Sequence, residues 1–150
     1  MSERTEKAEA LFKAGCNCSQ AVVLAFHDLF GLDAKTAMKI SCGYGGGLGR
    51  LRETCGAVSG MALLAGLKHG SERPEDSVAK KKPYEMVQAM AGAVCEKHGS
   101  IVGRQLLNLE KPEKPENDPT PSARTPAYYQ KRPCSAYVAD AAGLVERFLL

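Results

Sequence analysis

Six cysteines are the residues of this 150-residue chain best able to do chemistry. Three of them, Cys18, Cys55 and Cys134, each fall in the first turn of a predicted helix. Unpaired backbone N–H groups and the helix dipole favour negative charge there, so we expect a stabilised thiolate and a lowered pKa. Because thiolates attack disulfides and bind metals, the pattern predicts a functional thiol cluster.

The other cysteines occupy different positions. Cys42 ends a predicted helix, Cys95 lies near the end of another, and Cys16 lies in the turn just before Cys18. At a helix C-terminus the dipole disfavours a thiolate, so we expect Cys42 and Cys95 to be less reactive. The competing interpretation for any of the six is inert packing, since buried cysteine behaves as a small hydrophobic residue.

Glycines surround Cys55 and predict unusually close packing. They permit positive φ and close backbone approach, and a helix with small residues on one face lets a partner helix bring its own thiol near Cys55. The residues assigned to this loop and close-approach role are Gly45, Gly46, Gly47, Gly49, Gly56, Gly60 and Arg50.

The basic residues beside these cysteines favour a thiolate if they lie close in space. Arg50 and Arg52 precede Cys55, and Lys131 and Arg132 precede Cys134. The loop lacks the Gly-Lys-Ser/Thr pattern and the preceding strand of nucleotide-binding sites. A plain helix connector and a buried anion held by Arg50 and Arg52 both remain open.

Apolar residues recur at helical spacing almost throughout, and no segment shows the alternation of a strand. Asn17 with Gln20 resembles a capping box that starts the second helix. Pro83 either kinks the fifth helix or lies in its first turn, and Ser100 is expected to cap the sixth. The predicted helices span residues 3–14, 18–30, 34–41, 54–68, 77–98, 100–107 and 134–149.

Six prolines within residues 111–133 predict an extended surface strap. The fold prediction is therefore all-α: one domain over residues 1–150, a bundle of five to seven helices with a Gly-rich loop and a Pro-rich strap. At this length a core can form without disulfides or metal, so stability alone does not account for the cysteines.

Composition excludes some classes of function. The net charge of +3, the interleaved acids and the absence of Trp argue against a nucleic-acid-binding protein. The N-terminus is charged, and the longest nearly uncharged stretch, residues 57–67, is too short to cross a bilayer. We expect a cytoplasmic protein, a compartment in which cysteines that matter are catalytic, redox-cycling or metal-binding.

Five features together resemble a family of redox-active proteins named for its Cys…Cys-Gly-Ala-x-x-Gly…Cys…Cys signature. They are residues 17–21 (NCSQA), residues 45–50 (GGGLGR), residues 55–60 (CGAVSG), the Gly99-Ser100 pair, and Cys134 before an alanine-rich last helix. The resemblance covers nearly the full length. It implies a small prokaryotic helical protein acting in thiol redox chemistry or electron transfer, and a related module on a multihaem cytochrome points to an iron–sulfur cluster.

The chain departs from the family pattern at one position. The family has a cysteine soon after the Gly-Ser pair, where this sequence has Gly103. A four-thiolate site is then incomplete unless another cysteine, a different ligand or water completes it, and we name Cys42 as the substitute.

Three hypotheses follow. In the first, Cys55 is the nucleophilic thiolate, Cys18 or Cys134 is the resolving partner, and a redox protein or small thiol is the partner molecule. In the second, Cys18, Cys55 and Cys134, with Cys42, bind an iron–sulfur cluster or zinc, with the histidines as further candidates. In the third, the chain is a non-catalytic interaction module whose small-residue helices form a homodimer.

Overall fold

Helices account for nearly all of the regular structure. The computed structural model describes residues 2–107 and 118–150, and these form eight α-helices and no strand. The helices are α1 (Glu3–Lys13), α2 (Cys18–Phe26), α3 (Ala34–Cys42), α4 (Gly56–His69), α5 (Ser77–His98), α6 (Gly103–Leu106), α7 (Pro126–Lys131) and α8 (Cys134–Leu149). The all-α prediction is confirmed, but the count of five to seven is wrong, because the Pro-rich segment contains a helix that the sequence did not predict.

That additional helix is α7. Pro126 lies in its first turn, where the missing N–H would be unpaired in any case and the fixed φ suits a helix. The Thr125 hydroxyl caps it by accepting from the Tyr128 amide at 3.2 Å. The predicted extended strap is therefore wrong over residues 126–131, while residues 118–125 have no regular structure. The first part of the predicted strap, residues 111–117, lies outside the described residues.

A capping box fixes the start of α2. The Asn17 side chain accepts from the Gln20 amide at 2.9 Å, and the Gln20 side chain accepts from the Asn17 amide at 3.0 Å. This confirms the predicted boundary and makes Cys18 the first residue of the helix. The α-helix ends at Phe26 rather than residue 30, and a 3₁₀ helix (His27–Phe30) completes the span before Gly31, whose φ is 70°.

Helix α5 begins at Ser77 as predicted, because Asp76 caps it by accepting from the Ala79 amide at 3.0 Å. Pro83 therefore lies buried inside the helix, which decides between the two positions left open for it. The predicted start of the sixth helix is wrong, because α6 begins at Gly103 after Val102. The Ser100 hydroxyl instead accepts from the Val102 amide at 2.9 Å, ahead of the helix.

The buried core lies among α1, α2, α4, α5 and α8. Helix α2 packs against both α4 and α8, and α1 packs against both α2 and α8. The largest fully buried side chains of the core include Phe12, Phe26, Met61, Leu64, Met90 and Leu149. Because α2 packs against both α4 and α8, the first residues of these three helices can lie close together at one end of the core.

Helices α2 and α4 approach closely at two glycines. A Cβ atom added to Gly56 would lie 3.2 Å from the Ser19 amide nitrogen and 3.3 Å from the Cys18 Cβ. One added to Gly60 would lie 3.1 Å from the Val22 Cβ. There is therefore no room for a larger side chain at either position unless the helices move apart.

Over residues 2–107 and 118–150, none of the helices combines the length and the apolar character needed to span a bilayer.

Replacing Gly60 with leucine should destabilise the fold, because the new side chain would collide with α2. We expect Gly60→Leu to lower the free energy of unfolding by about 1–3 kcal/mol, as overpacking does. The matched control is Gly66→Leu in the same helix, where added atoms meet nothing within 4 Å. The control should instead gain roughly 0.5–1 kcal/mol from helix propensity. Urea unfolding of both variants measures the difference, and equal effects would contradict the close packing.

Candidate functional site: a cysteine pair among arginines

The loop between α3 and α4 is coiled in a left-handed conformation. Gly46, Gly47 and Gly49 have positive φ, and so do Leu48, Arg50 and Arg52, at 71°, 68° and 59°. Non-glycine residues rarely adopt this region, and such strain tends to occur at functional sites. The glycines make the coil possible: a Cβ on Gly47 would lie 2.8 Å from the Arg52 Cα.

Several amides of this loop donate hydrogen bonds to carbonyls of the same loop. The N–H groups of Leu48, Gly49, Arg50, Arg52 and Glu53 donate to the carbonyls of residues 44, 43, 45, 46 and 47, at 2.8–3.2 Å. They are therefore not free to form a phosphate cradle, and what the loop offers to a ligand is the side chains of Arg50 and Arg52.

The end of the loop is fixed to the segment before α6. The Cys55 amide donates to the Ile101 carbonyl at 2.7 Å, and the Arg104 amide donates to the Arg52 carbonyl at 3.2 Å. Gly103 lies against this connection. A Cβ there would be 3.2 Å from the Glu53 carbonyl oxygen, so the backbone packs closely at this position.

Cys18 and Cys134, the first residues of α2 and α8, form a pair. The two side chains lie close enough for each to be the largest influence on the pKa of the other. The interaction with Cys18 lowers the pKa of Cys134 to about 7 despite burial. The same interaction is the main cause of a Cys18 pKa well above its usual value, with burial and the nearby Cys134 charge adding to it. The pair therefore holds one proton between two sulfurs, with the negative charge on Cys134.

Cys55 lies near this pair, but as a neutral thiol. Burial raises its pKa and outweighs the opposing effect of the Ala57 and Val58 amides at the start of α4. The Cys134 charge raises the pKa further. The prediction of a lowered pKa at all three helix starts is thus wrong for Cys55, because desolvation is the largest effect there and raises its pKa. It is also wrong for Cys18, whose pKa is raised mainly by Cys134. The prediction is correct for Cys134, whose pKa is lowered.

The remaining cysteines differ in exposure. Cys42 and Cys95 are exposed, and the half-buried Cys16 has its sulfur 3.9 Å from the Met38 sulfur. Burial raises the pKa of Cys16. All six cysteines are free thiols.

The donor atoms do not fit the metal hypothesis. Across residues 2–107 and 118–150, no three His, Cys, Asp or Glu side chains are grouped so as to hold a metal ion. Cys55 influences the titration of the pair without completing a ligand set, and Cys42 does not complete one either. Two histidines are engaged elsewhere, His27 with the Leu32 carbonyl and His98 with Asp140.

Arginines from two distant parts of the chain favour the Cys134 thiolate. Arg132, Arg52 and Arg124 each lower its pKa, after the larger effect of Cys18. Arg124 is held in place by the carbonyls of Phe12 and Cys16, at 3.1 Å and 3.0 Å from its guanidinium nitrogens. Arg124 thus connects the segment before α8 to the end of α1 and to the turn that follows it.

Sequence reasoning missed Arg124 and Tyr128 as site residues. The Tyr128 ring centre lies 4.9 Å from the Cζ atoms of both Arg124 and Arg132, and its pKa is raised mainly by burial. Arg124 lies in the irregular part of a Pro-rich segment, where periodicity carries no information about contacts. Arg132 could be suspected because it stands two residues before Cys134.

Comparison with known proteins agrees with this chemistry at the level of the family. Residues 16–148 match the family described as "Putative redox-active protein (C_GCAxxG_C_C)", and the chain belongs to this family. The match includes Cys18, Cys55 and Cys134. No curated protein and no solved structure matches the chain.

Alkylation should reveal the low pKa of Cys134. In a background with Cys42→Ser and Cys95→Ser, the rate of iodoacetamide modification at Cys134 should rise with pH to a plateau, with a midpoint of about 7. Because thiolate is the reactive form, removing the donor by Cys18→Ala should move the midpoint to higher pH. Cys18→Ser supplies a hydroxyl donor and should restore part of the shift. An unchanged midpoint in Cys18→Ala, read by peptide mass mapping, would contradict the paired arrangement.

Proposed function

We propose that the protein carries out thiol–disulfide exchange through the Cys18–Cys134 pair, with Cys134 as the attacking thiolate. The observation that carries the proposal is the approach of Cys18 and Cys134, the first residues of two helices, because their interaction lowers the pKa of Cys134 to about 7 and raises that of Cys18. Membership of a family described as redox-active supports the same class of chemistry.

Cys134 has the properties of an effective attacking thiol. A pKa of about 7 makes much of it thiolate at neutral pH, and thiols with a pKa near the ambient pH react fastest. The first step joins the Cys134 sulfur to one sulfur of a disulfide R–S–S–R. The old S–S bond breaks, and R–S⁻ leaves with the electron pair and takes up a proton.

Cys18 completes the exchange. While Cys134 is a thiolate, its interaction with the Cys18 side chain and its charge keep the Cys18 proton in place. Once Cys134 is in a mixed disulfide, both effects disappear, and the Cys18 pKa falls toward its ordinary range with Arg124 lowering it further. The Cys18 thiolate then attacks the Cys134 sulfur and releases the second R–S⁻. The protein loses two hydrogens, and R–S–S–R becomes two R–SH.

Cys55 takes a different role from the one the sequence favoured. Its raised pKa keeps it a thiol at neutral pH, so it adds no second negative charge beside Cys134. In this proposal Cys55 neither attacks nor resolves, and it belongs to the buried wall of the site, where it is 7 % exposed.

Trapping experiments test the order of these steps. In the Cys42→Ser, Cys95→Ser background, 2-hydroxyethyl disulfide should produce a Cys18–Cys134 disulfide, identified by non-reducing peptide mapping. Cys18→Ser should stop at a mixed disulfide on Cys134, since no resolving thiol remains. Cys134→Ser removes the attacking thiolate, and because burial still raises the pKa of Cys18, Cys18 should be modified more slowly at neutral pH than Cys134 is in Cys18→Ser.

The variant Cys55→Ser is the matched control, and it should form the Cys18–Cys134 disulfide as the parent protein does. A disulfide that includes Cys55, or a mixed disulfide trapped on Cys55, would overturn the assignment of Cys134 as the attacking thiolate.

A further inference from the structure

Positive charge around the cysteine pair exceeds what the pair can neutralise. Arg52 lies close enough to Arg50 and Arg132 for their charges to lower its pKa, after the larger effect of its own burial. Among the ion pairs of residues 2–107 and 118–150, none involves Arg50, Arg52 or Arg132. The Cys134 thiolate therefore faces Arg52 and Arg132, with Arg50 beside Arg52, and none of the three forms an ion pair with a carboxylate of the described residues.

One of these guanidiniums also has an unused buried donor. The Nη1 atom of Arg50 is buried and has no hydrogen-bond partner among residues 2–107 and 118–150, while its Nη2 atom donates to the Ser122 hydroxyl at 3.4 Å. A buried charged donor without an acceptor is costly, and most such groups in proteins are satisfied by protein, water or ligand. This orphan donor belongs to a loop whose strained backbone positions Arg50 and Arg52.

We propose that Arg50, Arg52 and Arg132 bind the carboxylates of a small anionic disulfide or thiol, which is the substrate of the cysteine pair. The inference rests on the proposed function and names the class of molecule on which it acts. Guanidinium groups match carboxylate geometry and bind it through paired charge-assisted hydrogen bonds. The carboxylates would supply the acceptor that Arg50 lacks and relieve the repulsion among the three arginines.

Burial favours a small molecule over a folded protein as the partner. Cys134 is only 7 % exposed, and the segment that carries Arg124, Tyr128 and Arg132 lies beside it. A short disulfide with charged ends can place its sulfur near Cys134 while its carboxylates remain among the arginines. A protein disulfide would need a projecting loop to reach the same sulfur.

Three probes of matched length test the inference. These are 3,3′-dithiodipropionate, 2-hydroxyethyl disulfide and cystamine, whose arms end in carboxylate, hydroxyl and ammonium groups. We would measure second-order rates of Cys18–Cys134 disulfide formation in the Cys42→Ser, Cys95→Ser background. Each rate is divided by the rate at which dithiothreitol reduces the same probe, which removes differences between the leaving groups. The normalised rate should be about tenfold higher for the carboxylate probe than for the hydroxyl probe, the effect of one charge-assisted hydrogen bond. It should be lowest for cystamine.

Substitution of the arginines separates binding from activation of the thiolate. Arg52→Gln and Arg132→Gln reduce the thiolate fraction of Cys134 equally for every probe. The ratio of the normalised rates with the carboxylate and hydroxyl probes therefore measures recognition of the carboxylate alone. Each variant, and Arg50→Gln, should bring the ratio toward one. The matched control is Arg147→Gln, near the other end of α8 and about 20 Å from Cys134 along the helix axis. It should leave the ratio unchanged.

The outcomes also distinguish this inference from the function on which it rests. If all three probes form the Cys18–Cys134 disulfide at the same normalised rate, the anionic substrate is wrong and thiol–disulfide exchange stands. If the ratio persists in every arginine variant, these residues do not recognise the substrate. If no probe produces the disulfide, the proposed function fails, and the inference fails with it.

Discussion

The interaction between the Cys18 and Cys134 side chains is the one on which this site depends. Two sulfurs that share one proton are chemically unequal: the donor is held as a thiol, and the acceptor becomes a thiolate near neutral pH. No single helix dipole accounts for this difference, because both residues begin helices and only one has a lowered pKa. The reactivity of Cys134 therefore comes from its partner first and from the arginines second.

The rest of the fold can be understood as the means of bringing these two helix starts together. The capping box at Asn17 sets where α2 begins, and the glycines of α4 let that helix lie against α2 without separating it from α8. Arg124 ties the irregular segment before α8 to the turn before α2. The capping box is local, but the contacts of the α4 glycines and of Arg124 join residues remote in sequence, so the pair forms only when the tertiary structure is complete.

How much of this could be predicted from the sequence differs between the helices and the site. Helices α1, α3, α4, α5 and α8 follow from apolar periodicity and from stop signals such as Gly70 and Gly99, which are local properties. Helix α7 was missed because six prolines predict irregular structure, although Pro126 is compatible with a helix that begins there. The choice of Cys55 as the thiolate rested on a local rule, whereas the balance between desolvation and neighbouring charge is a property of the folded protein.

A redox titration tests the central claim most directly. The parent protein with Cys42→Ser and Cys95→Ser would be equilibrated in buffers of known dithiol-to-disulfide ratio, quenched in acid and analysed for free thiols at each cysteine. The account predicts one cooperative two-electron transition in which Cys18 and Cys134 are oxidised together while Cys55 remains a thiol. Oxidation of Cys55 with either partner, or independent loss of Cys18 and Cys134 at different potentials, would contradict it.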